Sequence, residues 1–437
     1  MTPHPSPLTP YGLSGRIAAL FIGSKLTPLI MVGALLLGLF AIVATPREEE
    51  PQIVVPMADV WLPFPGASAK VVEEQLTKPF ERKLSEIKGV EYVYSISRPG
   101  GALIIVRFYV GQSMEQSLVD LYDKLMSNQD LLPPGAEPFL VKPKDVNDVP
   151  IVTVTLSSER YGEFELHQLA EQVLEEAKKV TGTSGGFIVG GRRRELQVLI
   201  DPARLKAYGL TPLQVAAVIR GENRALPAGR FDSRNQSFLV ETGRFIRSRA
   251  DLESLVVGVS EQRPVYLRHV ADVIDGPAEA TSYVWFGLGA AGAREGLGVR
   301  GEGFEPPAVT VAIAKQGGTN AVTVAEQVIR KVEDMKGVTV PSDVRVTVTR
   351  DYGETAQEKA NELLWHLVIA VVAVVLFLGV ALGPRPALVV SLAIPLTLAL
   401  TLFTSMLIGY TINRVTLFAL IFSIGILVDD AIVVVEN

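Results

Sequence analysis

Four stretches of the chain are apolar and almost free of charge, and a long mixed segment separates the first from the other three. Leu26 to Pro46 is a charge-free run of 21 residues. A helix of that length is about 31 Å long, enough for a hydrocarbon core of about 30 Å. We therefore expect a first membrane span over residues 28–45. The run is too long for a signal-peptide core, and no small-residue cleavage pattern follows it. Arg16 and Lys25 precede it, while Arg47 and three glutamates follow. The positive-inside rule then places the N-terminus in the cytoplasm. Leu13 to Leu26, with Arg16 and Lys25 among apolar residues, predicts a short interfacial helix. Residues 1–12 are rich in Pro and Thr and predict disorder. Leu363 to Pro384, Pro386 to Asn413 and Val415 to Val435 predict three further spans, at 363–382, 387–408 and 415–437. Pro395 falls inside the third, where neighbouring helices tolerate a kink. Arg385, in the Gly-Pro-Arg-Pro turn, fits a cytoplasmic loop.

Between Pro46 and Glu362 the pattern changes to alternating strands and helices, all on the outer side in this orientation. Ile53–Leu62 reads as a strand and Ala67–Ile87 as an amphipathic helix that Pro79 kinks. Val90–Ser97 and Ala102–Val110 read as strands around a Pro-Gly-Gly turn. A helix at Ser113–Asn128 and a strand near Phe139 complete a βαββαβ, or ferredoxin-like, unit. A second such unit starts at Ile151–Leu156, Phe164–Val180 and Gly186–Val189. It resumes at Ala308–Ala314, Ala321–Met335 and Val344–Val348, after an insertion of about 110 residues. Inside the insertion, Glu195–Ile200 alternates as a strand. Asp201–Asn223 reads as two short helices broken at Gly209, the second capped by Thr211 with Pro212 in its first turn.

Composition agrees with a mixed architecture: 48% of residues are hydrophobic and 20% charged. The mean hydropathy of +0.30 is too apolar for an ordinary soluble protein. A net charge of −6 offers no basic surface for nucleic acid. Cysteine is absent, and His4, His167, His269 and His366 lack metal-ligand spacing. No cofactor is expected. Gly287–Gly303 is glycine-rich but lacks the strand-to-helix context and the GK[ST] of a phosphate cradle, so a surface loop is expected. No Ser/His/Asp or Cys/His constellation suggests an enzyme.

The one chemical anomaly is the pair Asp429 and Asp430 inside the fourth apolar run. An ionised carboxylate in a bilayer costs at least about 3 kcal/mol. Two adjacent ones are tolerable when one is protonated or a cation lies near. The pair therefore reads as a site that takes up and releases protons, the alternative being helix packing through hydrogen bonds. Adjacent helical residues point about 100° apart, so they cannot form the facing dyad of an aspartyl protease.

GILVDDAIVVVEN (Gly425–Asn437) resembles the fourth-helix motif of the resistance–nodulation–division transporters, the proton-driven efflux pumps of Gram-negative inner membranes. The resemblance extends through LAIPLTLALT (Leu392–Thr401), YTINRVTLFAL (Tyr410–Leu420), IDPARLKAYGLTPLQV (Ile200–Val215), PVYLRHVADV (Pro264–Val273) and PGASAKVVEEQLTKPFE (Pro65–Glu81). It implies an α+β membrane protein, the N-terminal half of a pump made of two tandem repeats. Residues 46–145 would form one porter subdomain, and 146–190 with 305–350 a second. Residues 191–304 would be an inserted docking subdomain, and residues 1–27 would lie in the cytoplasm. The resemblance further implies a homotrimer in the inner membrane, with its large domain in the periplasm, joined by a periplasmic adaptor and an outer-membrane channel. Asp429 and Asp430 would be proton-relay carboxylates whose partner lysine belongs to the second repeat. Because the chain stops directly after the fourth run, a longer natural protein is expected.

Three departures stand out. His269 occupies a position where the family pattern has Asp, a tolerated surface change or, less simply, an altered docking contact. Phe231–Glu241 is short where drug-efflux relatives carry a longer hairpin arm, which puts arm-mediated trimer contacts in doubt. The Gly287–Gly303 stretch is unexpected for the family. The resemblance leaves export of amphiphilic organic compounds, export of heavy-metal ions and assistance to protein export open, with the first favoured. The substrate-binding residues are unknown.

Overall fold

A computed structural model of the chain describes residues 21–436 apart from 23, 52, 288 and 290–305, with all their side chains except those of 146, 430, 431 and 434–436. Most of the expected interfacial helix and of the glycine-rich stretch lies outside the described residues.

The first apolar run forms helix α1 (Thr27–Ala44), with a Pro at its start and Thr45 extended at its end. Its large side chains, Leu29, Ile30, Leu36 and Phe40 among them, point outward. The buried positions are small: Ala34, Gly38 and Ala41. A Cβ at Gly38 would overlap that of Ala399, so the backbones approach as closely as glycine allows.

The first outer unit contains β1 (Met57–Pro63), α2 (Ala69–Val72), α3 (Lys78–Ser85), β2 (Val90–Arg98), β3 (Gly101–Phe108), α4 (Met114–Met126) and β4 (Leu140–Lys144). The sheet order is β2-β3-β1-β4. Alternation along the strands turns Ala58, Val60, Leu62, Ile104, Val106 and Phe108 inward. They pack there on Leu76, Phe80, Leu84, Leu121 and Leu125 of the helices. Two local results differ from the sequence expectation. The kink expected at Pro79 appears as a π-turn, Glu73–Thr77, between α2 and α3. Proline has no N–H for the preceding turn and its ring crowds that turn's carbonyl, so a wider turn accommodates it. The first strand starts at Met57 rather than Ile53, after Pro56, which lacks an N–H to donate.

The second unit contains β5 (Pro150–Ser157), α5 (Glu163–Ala177) and β6 (Thr183–Val189), and resumes after the insertion. The insertion holds β7 (Arg194–Ile200), α6 (Pro202–Ala207), α7 (Pro212–Glu222), β8 (Arg224–Ser233), β9 (Gln236–Arg244), α8 (Arg249–Glu253), β10 (Val256–Ser260), β11 (Arg263–Tyr266), α9 (Leu267–Val270) and β12 (Ala271–Pro277). Strand β7 pairs with β12, and Leu205, Val215, Leu252, Leu267 and Val273 form a separate small core. Asp201 caps α6 through the N–H groups of Ala203 and Arg204, at 2.8 and 3.1 Å. Thr211 and Gln214 make a capping box at the start of α7.

Strands β8 and β9 form an antiparallel ribbon whose residues are exposed almost throughout. Phe231–Glu241 is the end of this two-stranded arm nearest its turn. Its turn residues, Arg234 and Asn235, have φ of 50° and 61°, as a two-residue primed turn requires. With no face buried, the arm lacks the alternation that identifies a strand in sequence.

The second unit then continues with β13 (Ala308–Lys315), α10 (Ala321–Asp334) and β14 (Arg345–Asp351). Its sheet order is β14-β5-β13-β6, the same fourth-first-third-second order as in the first unit. Val152, Val154, Leu156, Val309, Val311 and Ile313 pack against α5 and α10.

Strand β14 runs directly into α11 (Tyr352–Ala381), a helix of 30 residues capped by Asp351. The expected span 363–382 is thus the inner part of a longer helix that begins among the outer units. Helix α12 (Pro384–Ile408) keeps Pro395 in its interior, and α13 (Arg414–Glu436) completes the chain. Among the described residues, α1, α11 and α12 are long and apolar enough to cross a membrane. The fourth expected span is a helix of 23 residues, in which the side chains of 430, 431 and 434–436 are outside the description.

Candidate functional site

Helix α13 starts on a buried cap. Asn413 Oδ1 accepts from the backbone N–H groups of Val415 and Thr416, each at 3.0 Å. The helix then presents Leu417, Leu420, Ile424 and Val428 to one core shared with Leu367 of α11 and with Ile394, Leu398 and Leu402 of α12. These positions recur every three or four residues, which sets the helix's inner face.

Asp429 is one residue past that stripe and is exposed. It shares its side of the helix with Phe418, Phe422, Ile426 and Val433, all exposed as well. Among the described residues, no cation forms an ion pair with it. Asp430 lies in the same helical turn, and its side chain is outside the description. The doublet is therefore on the bundle's last helix, with Asp429 on a face that this chain's own helices leave open.

A cavity of about 290 Å³ between α12 and α13 has a mainly apolar lining, Leu402, Ile412, Ala419 and Leu420, interspersed with Thr401, Ser405, Tyr410, Thr416 and Ser423. Ser423 is six residues before Asp429, about 9 Å along the helix. No group of three or more His, Cys, Asp or Glu side chains converges to hold a metal among the described residues.

The sequence signature of the AcrB/AcrD/AcrF family matches residues 17–437. The chain belongs to that family. Its members are resistance–nodulation–division transporters. The chain is similar to the multidrug resistance protein MdtC of Yersinia enterocolitica, with 27% identity over 428 residues, covering 97% of this chain and 40% of the relative. The MdtC proteins of Yersinia pseudotuberculosis and Yersinia pestis match at 28% over 429 residues, with the same coverages. The chain thus spans about 40% of the length of these curated relatives.

Two features of this family member were not read from its sequence. At His269, the ring Nδ1 accepts from the Tyr266 N–H at 3.4 Å, the bond an aspartate would accept at the same place. The ring also stacks on Tyr208, with centroids 6.2 Å apart. Glu48, one of the three glutamates that follow α1, is buried and paired with Lys315. No signal within either stretch announces that pairing, because the partners are 267 residues apart.

Proposed function

We propose that the complete protein is a proton-motive-force-driven exporter of amphiphilic organic compounds, with Asp429 and Asp430 as its proton relay. The observation that carries the proposal is the acidic doublet inside an otherwise apolar helix of the bundle. Two carboxylates there are favourable only where their charge is balanced or cycled. The exposed face around Asp429 suits a cation supplied by the part of the relatives' length that this chain does not span. A membrane potential of 100 mV supplies about 2.3 kcal/mol per proton, so protonation biases a two-state element rather than driving a large climb.

In this reading the cycle runs from protonation to a shift of α13, then through α11 to the outer units. Residues 46–145, and 146–190 with 305–350, act as porter subdomains on the periplasmic side of the inner membrane, and residues 191–304 act as a docking subdomain. The working unit is a homotrimer with a periplasmic adaptor and an outer-membrane channel. The name of the MdtC relatives, multidrug resistance proteins, supports organic substrates.

The test is Asp429→Asn with Asp430→Asn in the complete protein. Proton-coupled efflux should fall to background, and unchanged efflux would end the proposal. Resistance profiles against dyes and detergents, set beside copper, zinc and cobalt, identify the substrate class. Protection against the metals alone would replace organic export with metal export.

A further inference from the structure

Lys315–Glu48 is the most deeply buried ion pair among the described residues, with side-chain exposures of 8% and 3%. It belongs to neither sheet's core. Lys315 ends β13 and donates to Glu48 Oε1 at 2.5 Å. Thr411, in the turn between α12 and α13, donates to Glu48 Oε2 at 3.1 Å. Asn413 Nδ2 in turn donates to Thr411 Oγ1 at 3.0 Å, and Asn413 caps α13. The hydrogen-bonded chain is unbroken from the second sheet to the first turn of the helix that carries Asp429 and Asp430.

Backbone bonds reinforce the same place. Ile412 donates to Pro46 O at 2.9 Å, Glu48 to Ile412 O at 3.0 Å, and Ala321, at the start of α10, to Arg47 O at 3.0 Å. Arg47 reaches α11 through Gln357 Oε1 at 2.7 Å and Asn361 Oδ1 at 3.1 Å.

Stability does not explain this pair, because well-packed neutral side chains hold a buried junction at least as well. What a charged pair adds is fixed geometry and an all-or-none character, since separation leaves both charges buried and unpaired. Such a tie either moves as one piece or breaks, which suits a junction between two moving bodies.

We propose that Glu48 is a positioning residue of the transport cycle: held between Lys315 and Thr411, it ties α13 to the second outer sheet, so that displacement of the helix on proton uptake is delivered to that sheet. The proposal rests on the proton-relay reading of Asp429 and Asp430, and it adds a second route to the direct continuity of β14 with α11.

The test is hydrogen exchange on the complete protein in lipid nanodiscs at pH 5.5 and 7.5, corrected for intrinsic rates. In the wild type, exchange should change at least threefold both at the outer end of α13 and in β5 and β13. In the double variant Glu48→Gln with Lys315→Met, the α13 response should persist and the sheet response should fall at least threefold. A sheet response equal to wild type overturns the proposal, as does a wild-type sheet that stays silent while α13 responds. If the double variant does not fold, Thr411→Val, which leaves the ion pair intact, decides in the same way. An α13 that is silent in the wild type, or that responds unchanged in Asp429→Asn with Asp430→Asn, defeats the relay reading itself and with it this inference.

Discussion

The two outer sheets share one strand order and one inward pattern, yet their opposite faces differ. The first sheet turns Trp61, Tyr92, Tyr94, Ile96 and Leu140 away from its helices, all exposed. Tyr92 and Tyr94 stack at 5.8 Å. In the second sheet the two central strands carry Thr153, Thr155, Thr310 and Ala312 on that face, while the edge strand β6 turns Phe187 and Val189 outward beside them. There Thr155 Oγ1 meets the hydroxyls of Thr310 at 2.8 Å and Thr349 at 3.1 Å, and Thr153 meets Thr349 at 3.0 Å. The first face carries large apolar side chains on β1, β2 and β4 without a cover from this chain, whereas the second joins hydroxyls across its central strands and keeps Phe187 and Val189 on the edge strand β6. Topology is therefore specified by the inward residues, and the outward residues remain free to specify what each sheet meets.

The largest effect should come from the half the sheets share. Phe80→Ala in the first unit should cost about 3–5 kcal/mol and Leu156→Ala in the second about 2–5 kcal/mol, since both side chains are fully buried. Hydrogen exchange should localise each loss to its own unit, and loss in both units from one substitution would show that they do not fold independently.

The intermediate effect separates the two outward faces. Thr155→Val keeps the shape but removes a hydroxyl that bonds two others, at a cost of about 1 kcal/mol. Tyr94→Thr keeps β-propensity and removes a ring that is half exposed, so its cost should stay within about 0.5 kcal/mol. Chemical unfolding of each variant checks the order. A Tyr94→Thr cost above that of Thr155→Val would mean the aromatic face is already covered within this chain.

The smallest effect is a likeness between the units. Glu86 bonds Lys124 at 2.8 Å and Lys83 at 3.2 Å, joining α3 to α4. Glu176 bonds Lys179 at 2.5 Å and Lys331 at 3.0 Å, joining α5 to α10. The side-chain hydrogen bond from Lys124, then that from Lys83, holds the Glu86 carboxyl below its ordinary 4.5. The bonds from Lys179 and then Lys331 do the same for Glu176. A carboxylate with a lowered folded value stabilises above the unfolded value and loses that contribution as pH falls through the folded one. Both helix pairs should therefore loosen slightly below about pH 4.5. Glu86→Gln and Glu176→Gln should each flatten the acid side of the stability profile of its own unit, and a steeper acid side would reverse the assignment.

Much of this molecule is legible along the chain because its signals are contiguous. Asp201 and Thr211 announce the helices they cap within three residues. The βαββαβ order follows from periods of two and 3.6. Three of the four apolar runs correspond to helices long and apolar enough to cross a membrane, and Asp429 and Asp430 stand out as charges within the fourth. The projecting arm of β8 and β9 was not legible, because a ribbon exposed on both faces has no period to detect. The π-turn before Pro79 is a relaxation of backbone geometry that composition does not encode.

The amino-acid sequence by itself determined most strands and helices of the two sheet units, the cap at Thr211, three runs that suit a bilayer, and the presence of two carboxylates inside an apolar run. Each of these depends on residues within a few turns of one another. Only the tertiary structure decided that Glu48 meets Lys315 and Thr411, that Gly38 lies against Ala399, and that the hydroxyls of Thr155, Thr310 and Thr349 meet across three strands. Those outcomes depend on side chains brought together across hundreds of residues, and the energy of such a contact exists only once the backbone has placed both partners.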